Sequence, residues 1–131
     1  MNTENWEDIL TLLTMVVVAD KKVYKEEVDT FVEAIYDLNN AISPDIFFTE
    51  SMAFEWFRAN RERVKNKLIG RNADRNLKEV IIRLKGLKYQ KEILDSMARI
   101  AHADSEYHDQ EHKVIKQAAY SWRQAYPASP S

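Results

Sequence analysis

The sequence predicts an all-α protein, a single bundle of about six helices built on a duplicated helix–loop–helix hairpin. Its 131 residues suffice for about one domain. Only two glycines and three prolines interrupt the chain, which favours helices over a strand-rich fold. Apolar residues recur three and four positions apart, as on one face of a helix, and the chain aligns with itself at an offset of 84 residues.

The helix bounds follow from this periodicity and from the residues that start or stop a helix. The first two helices are predicted at about residues 4–18 and 25–39. Ser43-Pro44 is typical of an N-cap followed by proline at the first helical position, so a third helix is expected to begin there and to stop at Gly70. Three further helices are predicted from near Asp74 to Gly86, at about 88–102 and at about 109–123.

The apolar stripes define the predicted core. The stripe of the first helix matches that of the fifth at the 84-residue offset, so we expect the two helices to share one core. The matched positions are Ile9, Leu10, Leu13 and Val16 in one helix and Ile93, Leu94, Met97 and Ile100 in the other. An aromatic run is also assigned to the core: Phe47, Phe48, Phe54, Trp56 and Phe57. We expect residues 1–126 to form the single domain and residues 127–131 to be a frayed tail.

Composition excludes several functional classes. The chain has no cysteine, which removes disulfides, zinc ribbons, thiolate nucleophiles and iron–sulfur clusters. The acidic N-terminus shows no signal peptide, and the longest apolar run, 15–19, is far short of the roughly 20 residues that span a bilayer. We therefore expect a cytoplasmic protein with no membrane span. With two glycines there is no phosphate-binding loop or dinucleotide fingerprint. Apart from the histidine motif considered below, no catalytic constellation is present, and we expect a protein that is not an enzyme.

The internal repeat centres on two acidic loops. At the 84-residue offset Ala19-Asp20 falls on Ala103-Asp104, and Glu27 falls on Glu111. The shared unit is a helix, Ala-Asp, a six-residue gap to Glu, and a second helix. Two such hairpins are expected to pack as a pseudo-symmetric pair, which would bring their loops together.

The two loops resemble a known family. ADKKVYKEE (19–27) and ADSEYHDQE (103–111) are similar to the two Ala-Asp-Gly-x-Ile-x-x-x-Glu segments of the tellurite-resistance TerB-like family. The resemblance implies an all-helical, non-enzymatic module that acts in tellurite or metal-stress response through protein partners. It also implies a divalent-cation site made by Asp20, Glu27, Asp104 and Glu111. This chain departs from the family at Lys21 and Ser105, which replace glycine, and at Tyr24 and His108, which replace an acid.

Two interpretations of the acidic set remain open. If the loops meet, four carboxylates converge and repel, and calcium, magnesium or manganese would relieve the repulsion. Alternatively, each glutamate closes a local cap at its helix start, and Lys21 and Lys25 neutralise the cluster without a metal.

A second motif, His108-Asp-Gln-Glu-His112, matches a zinc-protease pattern in which two histidines hold zinc and the glutamate acts as base. Only 19 residues follow it, which leaves little space for a third ligand. The alternative function is thus a small metal-dependent enzyme using the 102–112 cluster, where His102, His108 and His112 with Asp104 or Glu111 could hold zinc or nickel. The other interpretation is that these histidines are solvated.

Charge is segregated along the chain. Residues 58–91 hold 12 basic and three acidic residues, whereas the remainder holds seven basic and 18 acidic residues. This basic segment could make the protein an ion-free interaction scaffold that docks an unknown protein partner. We favour the alternative that acidic neighbours in the fold match its charge. Nucleic acid is disfavoured because no binding motif accompanies the charge. Exposed members of the aromatic run would instead mark a surface for a partner or a homo-oligomer.

Overall fold

The computed structural model describes residues 3–19, 22–43, 48–103 and 109–127, and all regular structure in these ranges is helical. The predicted all-α fold with six helices is therefore confirmed. The helices are α1 (Thr3–Val18), α2 (Lys25–Ile42), α3 (Glu50–Lys67), α4 (Ala73–Arg83), α5 (Gln90–Ala101) and α6 (Asp109–Trp122). Across the described part of the chain, none of these helices is both long enough and apolar enough to cross a membrane.

The start of α3 differs from the prediction. Ser43 is the C-cap of α2, because its N–H donates to the Asn39 carbonyl at 2.8 Å and so continues the hydrogen bonding of that helix. The N-cap of α3 is Thr49, whose hydroxyl accepts from the Met52 N–H at 3.1 Å. A hydroxyl that reaches an unsatisfied N–H of the first turn starts a helix more decisively than a following proline does. Gly70 lies beyond α3, in a turn where its φ is +88°.

Helix α1 is the centre of the fold. It packs against each of the other five helices. Residues 9–18 are all buried, so the helix is enclosed on every side rather than along one face. Two threonines lie within this stretch, and each hydroxyl donates to the carbonyl four residues earlier, Thr11 to Glu7 and Thr14 to Leu10, both at 2.7 Å. Their burial therefore leaves no hydroxyl donor unsatisfied.

The pairing of helices follows the predicted repeat. α1 packs on α2, α5 and α6, while α5 packs on α6, α1 and α2. The pattern is unchanged when α1 exchanges with α5 and α2 with α6, as expected for two hairpins related by a pseudo-twofold axis. The matched stripes predicted for α1 and α5 are all buried in one cluster, which confirms their shared core. α3 packs on α1 and α2, and α4 packs on α1 and α6.

The aromatic run is only partly in the core. Phe57 is buried, and Phe48 and Trp56 are partly buried against the core cluster. Phe54 is 43% exposed, so its assignment to the core was wrong. It lies at the open edge of the contact between α2 and α3, where it lines a surface groove with Val28 and Asp29. Phe47 lies outside the described residues.

The chain reverses direction after α6. Arg123 has a φ of +56°, and the Gln124 N–H donates to the Ala119 carbonyl at 2.9 Å, which closes the end of the helix. The following residues pass back along α6 as far as Tyr126 and the buried Pro127. The predicted tail begins at Pro127, and its residues 128–131 lie outside the described residues.

Candidate functional site

Glu27 and Glu111 occupy the same position in the two hairpins. Each is the third residue of its helix, α2 or α6, and each has an exposed fraction of 0%. The other two residues of the predicted site, Asp20 and Asp104, lie outside the described residues. The predicted proximity of the two acidic loops therefore stays a prediction.

The burial of the glutamates follows from helical periodicity. Glu27 lies one turn before Phe31 on the buried stripe of α2, and Glu111 lies one turn before Ile115 on that of α6. α2 and α6 both pack against α1 and α5, but in the described residues their backbones do not approach each other within 8 Å. Each carboxylate thus begins an apolar stripe that faces the α1–α5 pair.

A buried carboxylate requires compensation. Moving a charge out of water is costly unless the group is protonated, paired with a counter-charge or bound to a cation. Their place in the first turn gives both glutamates the favourable positive end of a helix dipole. The backbone start of α2 does not depend on a side-chain cap, because the side chain of the N-cap residue Tyr24 makes no cap hydrogen bond. The Tyr24 carbonyl accepts from the Glu27 and Val28 N–H groups, both at 3.1 Å.

Lys25 does not neutralise the buried glutamate. Its ammonium donates to Asp29 at 3.0 Å on the exposed surface of α2. This hydrogen bond and the charge of Asp29, with a smaller contribution from Glu26, raise the pKa of Lys25 above its ordinary value of 10.5. The salt bridge that Lys25 makes in the described residues is therefore to Asp29, and its role in the metal-free interpretation stays a hypothesis. Lys21, the other lysine of that interpretation, lies outside the described residues.

The structure brings two of the three histidines together. The rings of His102 and His112 meet edge to face with centroids 5.2 Å apart. His112 is only 5% exposed, stacks on Tyr126 with centroids 6.1 Å apart, and is hydrogen-bonded through Nδ1 to the Tyr126 hydroxyl. The expectation of a solvated histidine is thus wrong for His112. A signal for this burial was present, since the repeat aligns His112 with Val28, which packs against the core.

The alternative zinc set is incomplete in what the structure describes. His108 and Asp104 lie outside the described residues. Among the residues that are described, no three histidine or acidic side chains are grouped so that they could hold a metal ion.

Within the described residues, two of the basic residues in segment 58–91 form salt bridges with acids. Arg83 bonds Asp8 of α1 at 3.0 Å, and Arg75 bonds Glu79 of its own helix at 3.2 Å. In the part of the chain that the structure describes, these two are the salt bridges made by the 12 basic residues of the segment. The structure also shows a basic groove that sequence reasoning missed, because its cations come from both α4 and the distant α6.

The chain was compared with families of known proteins, with curated proteins and with solved structures. No family model, no curated protein and no solved structure matches it.

Proposed function

We propose that the chain is a non-enzymatic, TerB-like binding module that holds a divalent cation between the loops of its two hairpins. Asp20, Glu27, Asp104 and Glu111 would be the ligands, and calcium, magnesium or manganese the ion. The role in tellurite or metal-stress response, exerted through a protein partner, comes to the proposal with the loop resemblance. The observation that carries the cation site is the complete burial of Glu27 and Glu111 at the same position of the two hairpins.

Complete burial favours the cation over local capping. Burial imposes a desolvation cost on a carboxylate, and it strengthens every electrostatic interaction that the carboxylate makes. The full charge of a divalent cation compensates this cost more strongly than the partial charge at a helix start does. A shared site is supported by the packing of the two hairpins, because α1 contacts both α5 and α6, and α2 contacts α5.

The chemistry of the donor set fits a hard cation. All four residues offer carboxylate oxygens, and the chain has no cysteine that would favour a softer metal. The buried pair would supply the inner ligands, and the two aspartates would supply the remaining charge.

Thermal unfolding of the full chain tests this proposal. After treatment with a chelator, calcium, magnesium or manganese should raise the melting temperature, since a ligand in hundredfold excess over Kd stabilises the native state by about 2.7 kcal/mol. The double variant Glu27→Gln/Glu111→Gln should lose this response. The matched control is Glu26→Gln/Asp109→Asn, which removes two exposed acids from the same helix starts and should keep it.

The aspartates need their own variant. Asp20→Asn/Asp104→Asn should abolish the response to cations and leave the metal-free protein as stable or more stable, because repulsion is relieved. Local capping predicts the opposite: no response in any variant, and a loss of roughly 0.5–2 kcal/mol per lost cap. Calorimetry that detects no heat with millimolar concentrations of all three ions would reject the cation site.

A further inference from the structure

A groove runs between α4 and α6. Two contacts show that α4 and α6 lie side by side and run in the same direction. Lys113 Nζ is 3.6 Å from Asp74 Oδ1 near the helix starts, and the Trp122 indole N–H donates to the Ile81 carbonyl at 2.9 Å further along. The groove encloses about 730 Å³. Its lining residues are Lys78, Ile81, Ile82, Lys85, Lys116, Gln117, Tyr120, Ser121 and Arg123.

The charge of the groove has one sign. None of the lining residues is acidic. Four of them are exposed cations, namely Lys78, Lys85, Lys116 and Arg123. The parallel alignment assigns Lys78 and Lys116 to one end of the groove and Lys85 and Arg123 to the other. Seven residues separate Lys78 from Lys85, which corresponds to about 10 Å along a helix.

The centre of the groove is apolar and open to solvent. Ile82 is 61% exposed and Tyr120 is 89% exposed. Both lie between the two cationic ends, above Ile81, which is buried in the core cluster. A ligand that covers this pair would gain free energy in proportion to the apolar area that it removes from water.

The groove also contains strained backbone. Arg123 is the one residue other than glycine with a positive φ in the described part of the chain. Glycine normally occupies this position at a helix end, because a Cβ there is sterically unfavourable. Arg123 thus contributes a cation to the groove at the residue where the chain turns back after α6.

We propose that this groove docks a short amphipathic helix of a partner protein. The apolar residues of that helix would contact Ile82 and Tyr120, and its acidic residues, on either side of the apolar ones, would contact the lysines and the arginine of the groove. Charge complementarity selects an acidic partner, and the apolar centre between parallel helices suits the helix-in-groove mode of recognition. Single-stranded nucleic acid fits less well, since its binding sites present successive aromatic side chains for stacking and this groove presents one. None of the groove's lining residues belongs to the acidic set, and the docking does not require the proposed cation.

A displayed library of random peptides of about 14 residues, or four helical turns, tests the proposal. Selection on the full chain should enrich helical sequences with apolar residues between acids. Their affinity for Lys78→Glu/Lys116→Glu should fall by about tenfold or more, or 1.4 kcal/mol. The control Lys88→Glu/Lys91→Glu makes the same charge change at two exposed lysines outside the groove and should retain binding.

Three results would overturn the proposal. The first is enrichment of sequences without acids, and the second is equal binding to the two charge-reversed proteins. The third is a selection that yields no binding peptide, while a single-stranded DNA oligonucleotide or an anionic phospholipid vesicle binds the protein and loses this binding in Lys78→Glu/Lys116→Glu. If charge reversal unfolds the protein, Lys78→Gln/Lys116→Gln replaces it, and circular dichroism checks the fold. Selection with chelator and selection with calcium should give the same peptides, which separates this test from that of the cation site.

Discussion

The Tyr126 hydroxyl is hydrogen-bonded to Nδ1 of His112, which joins the C-terminal segment to the beginning of α6. The two rings also stack, so the tyrosine covers a histidine that is otherwise part of the core. This contact requires the chain reversal at Arg123. Residues 123–127 therefore belong to the folded domain and close one side of the α5–α6 hairpin.

Tyr126→Phe should lower the free energy of unfolding by about 1–2 kcal/mol. The ring stack is retained, but the hydrogen bond is lost and a nitrogen of the buried His112 loses that partner. Urea unfolding measures the change. Tyr120→Phe is the control, because Tyr120 is 89% exposed, and it should change stability by less than about 0.5 kcal/mol. Equal effects of the two substitutions would show that the His112–Tyr126 contact does not stabilise the fold.

The sequence predicted the fold better than it predicted the site. Apolar periodicity located six helices because a helix that buries one stripe must repeat it every turn. It could not show that α1 is buried on all sides, since that depends on five neighbours. It also could not show that Ser43 is the C-cap of α2, because serine occurs at both ends of helices. The N-cap of α3 is instead Thr49, six residues later.

Residues from distant segments explain the remaining differences. The buried Glu27 and Glu111 were named from the repeat, but their complete burial depends on how α2 and α6 pack on α1 and α5. The basic groove was missed because Lys116 and Arg123 come from α6, outside the basic segment 58–91. Charge counted along the chain does not show which cations converge in space.

Leu13→Ala and Met97→Ala should each cost about 2–5 kcal/mol. Both side chains are fully buried at matched positions of α1 and α5, so truncation leaves a cavity in the shared core. Ile69→Ala provides the comparison, because Ile69 is exposed and should change stability by no more than about 0.5 kcal/mol. A loss below about 1 kcal/mol at both core positions, measured by urea unfolding, would show that the α1–α5 contact is not central.

Asp29→Asn should lower the pKa of Lys25. Asp29 is the main cause of its increase, through a hydrogen bond and through its charge, and Glu26 contributes less. Glu26→Gln should therefore shift this pKa downward by a smaller amount. Because the folded-state pKa is raised, the contribution of the pair to stability is present at neutral pH and is lost as the pH rises through the lysine pKa, above 10.5. Nuclear magnetic resonance titration of the Lys25 ammonium measures both shifts, and an unchanged pKa in Asp29→Asn would contradict the pairing.

Arg123→Gly should stabilise the protein while weakening the binding of acidic peptides to the groove. Arg123 has a φ of +56°, where the Cβ of a side chain destabilises the fold by about 1–2 kcal/mol. Glycine removes this destabilisation, but it also loses more backbone entropy on folding than arginine does, which offsets part of the gain. The expected net gain is about 0.5–1 kcal/mol by urea unfolding. Arg123→Ala is the matched control, because it removes the same charge and keeps the steric strain.

The two Arg123 variants separate backbone strain from charge. Arg123→Ala should match the stability of the wild-type protein to within about 0.5 kcal/mol, and both variants should weaken peptide binding equally. Equal stability of the glycine and alanine variants would show that the backbone at residue 123 is unstrained. Unchanged peptide binding in both would show that the arginine is not retained for the groove. A gain in stability accompanied by a loss of binding would instead identify Arg123 as a residue that lowers the stability of the fold in exchange for recognition.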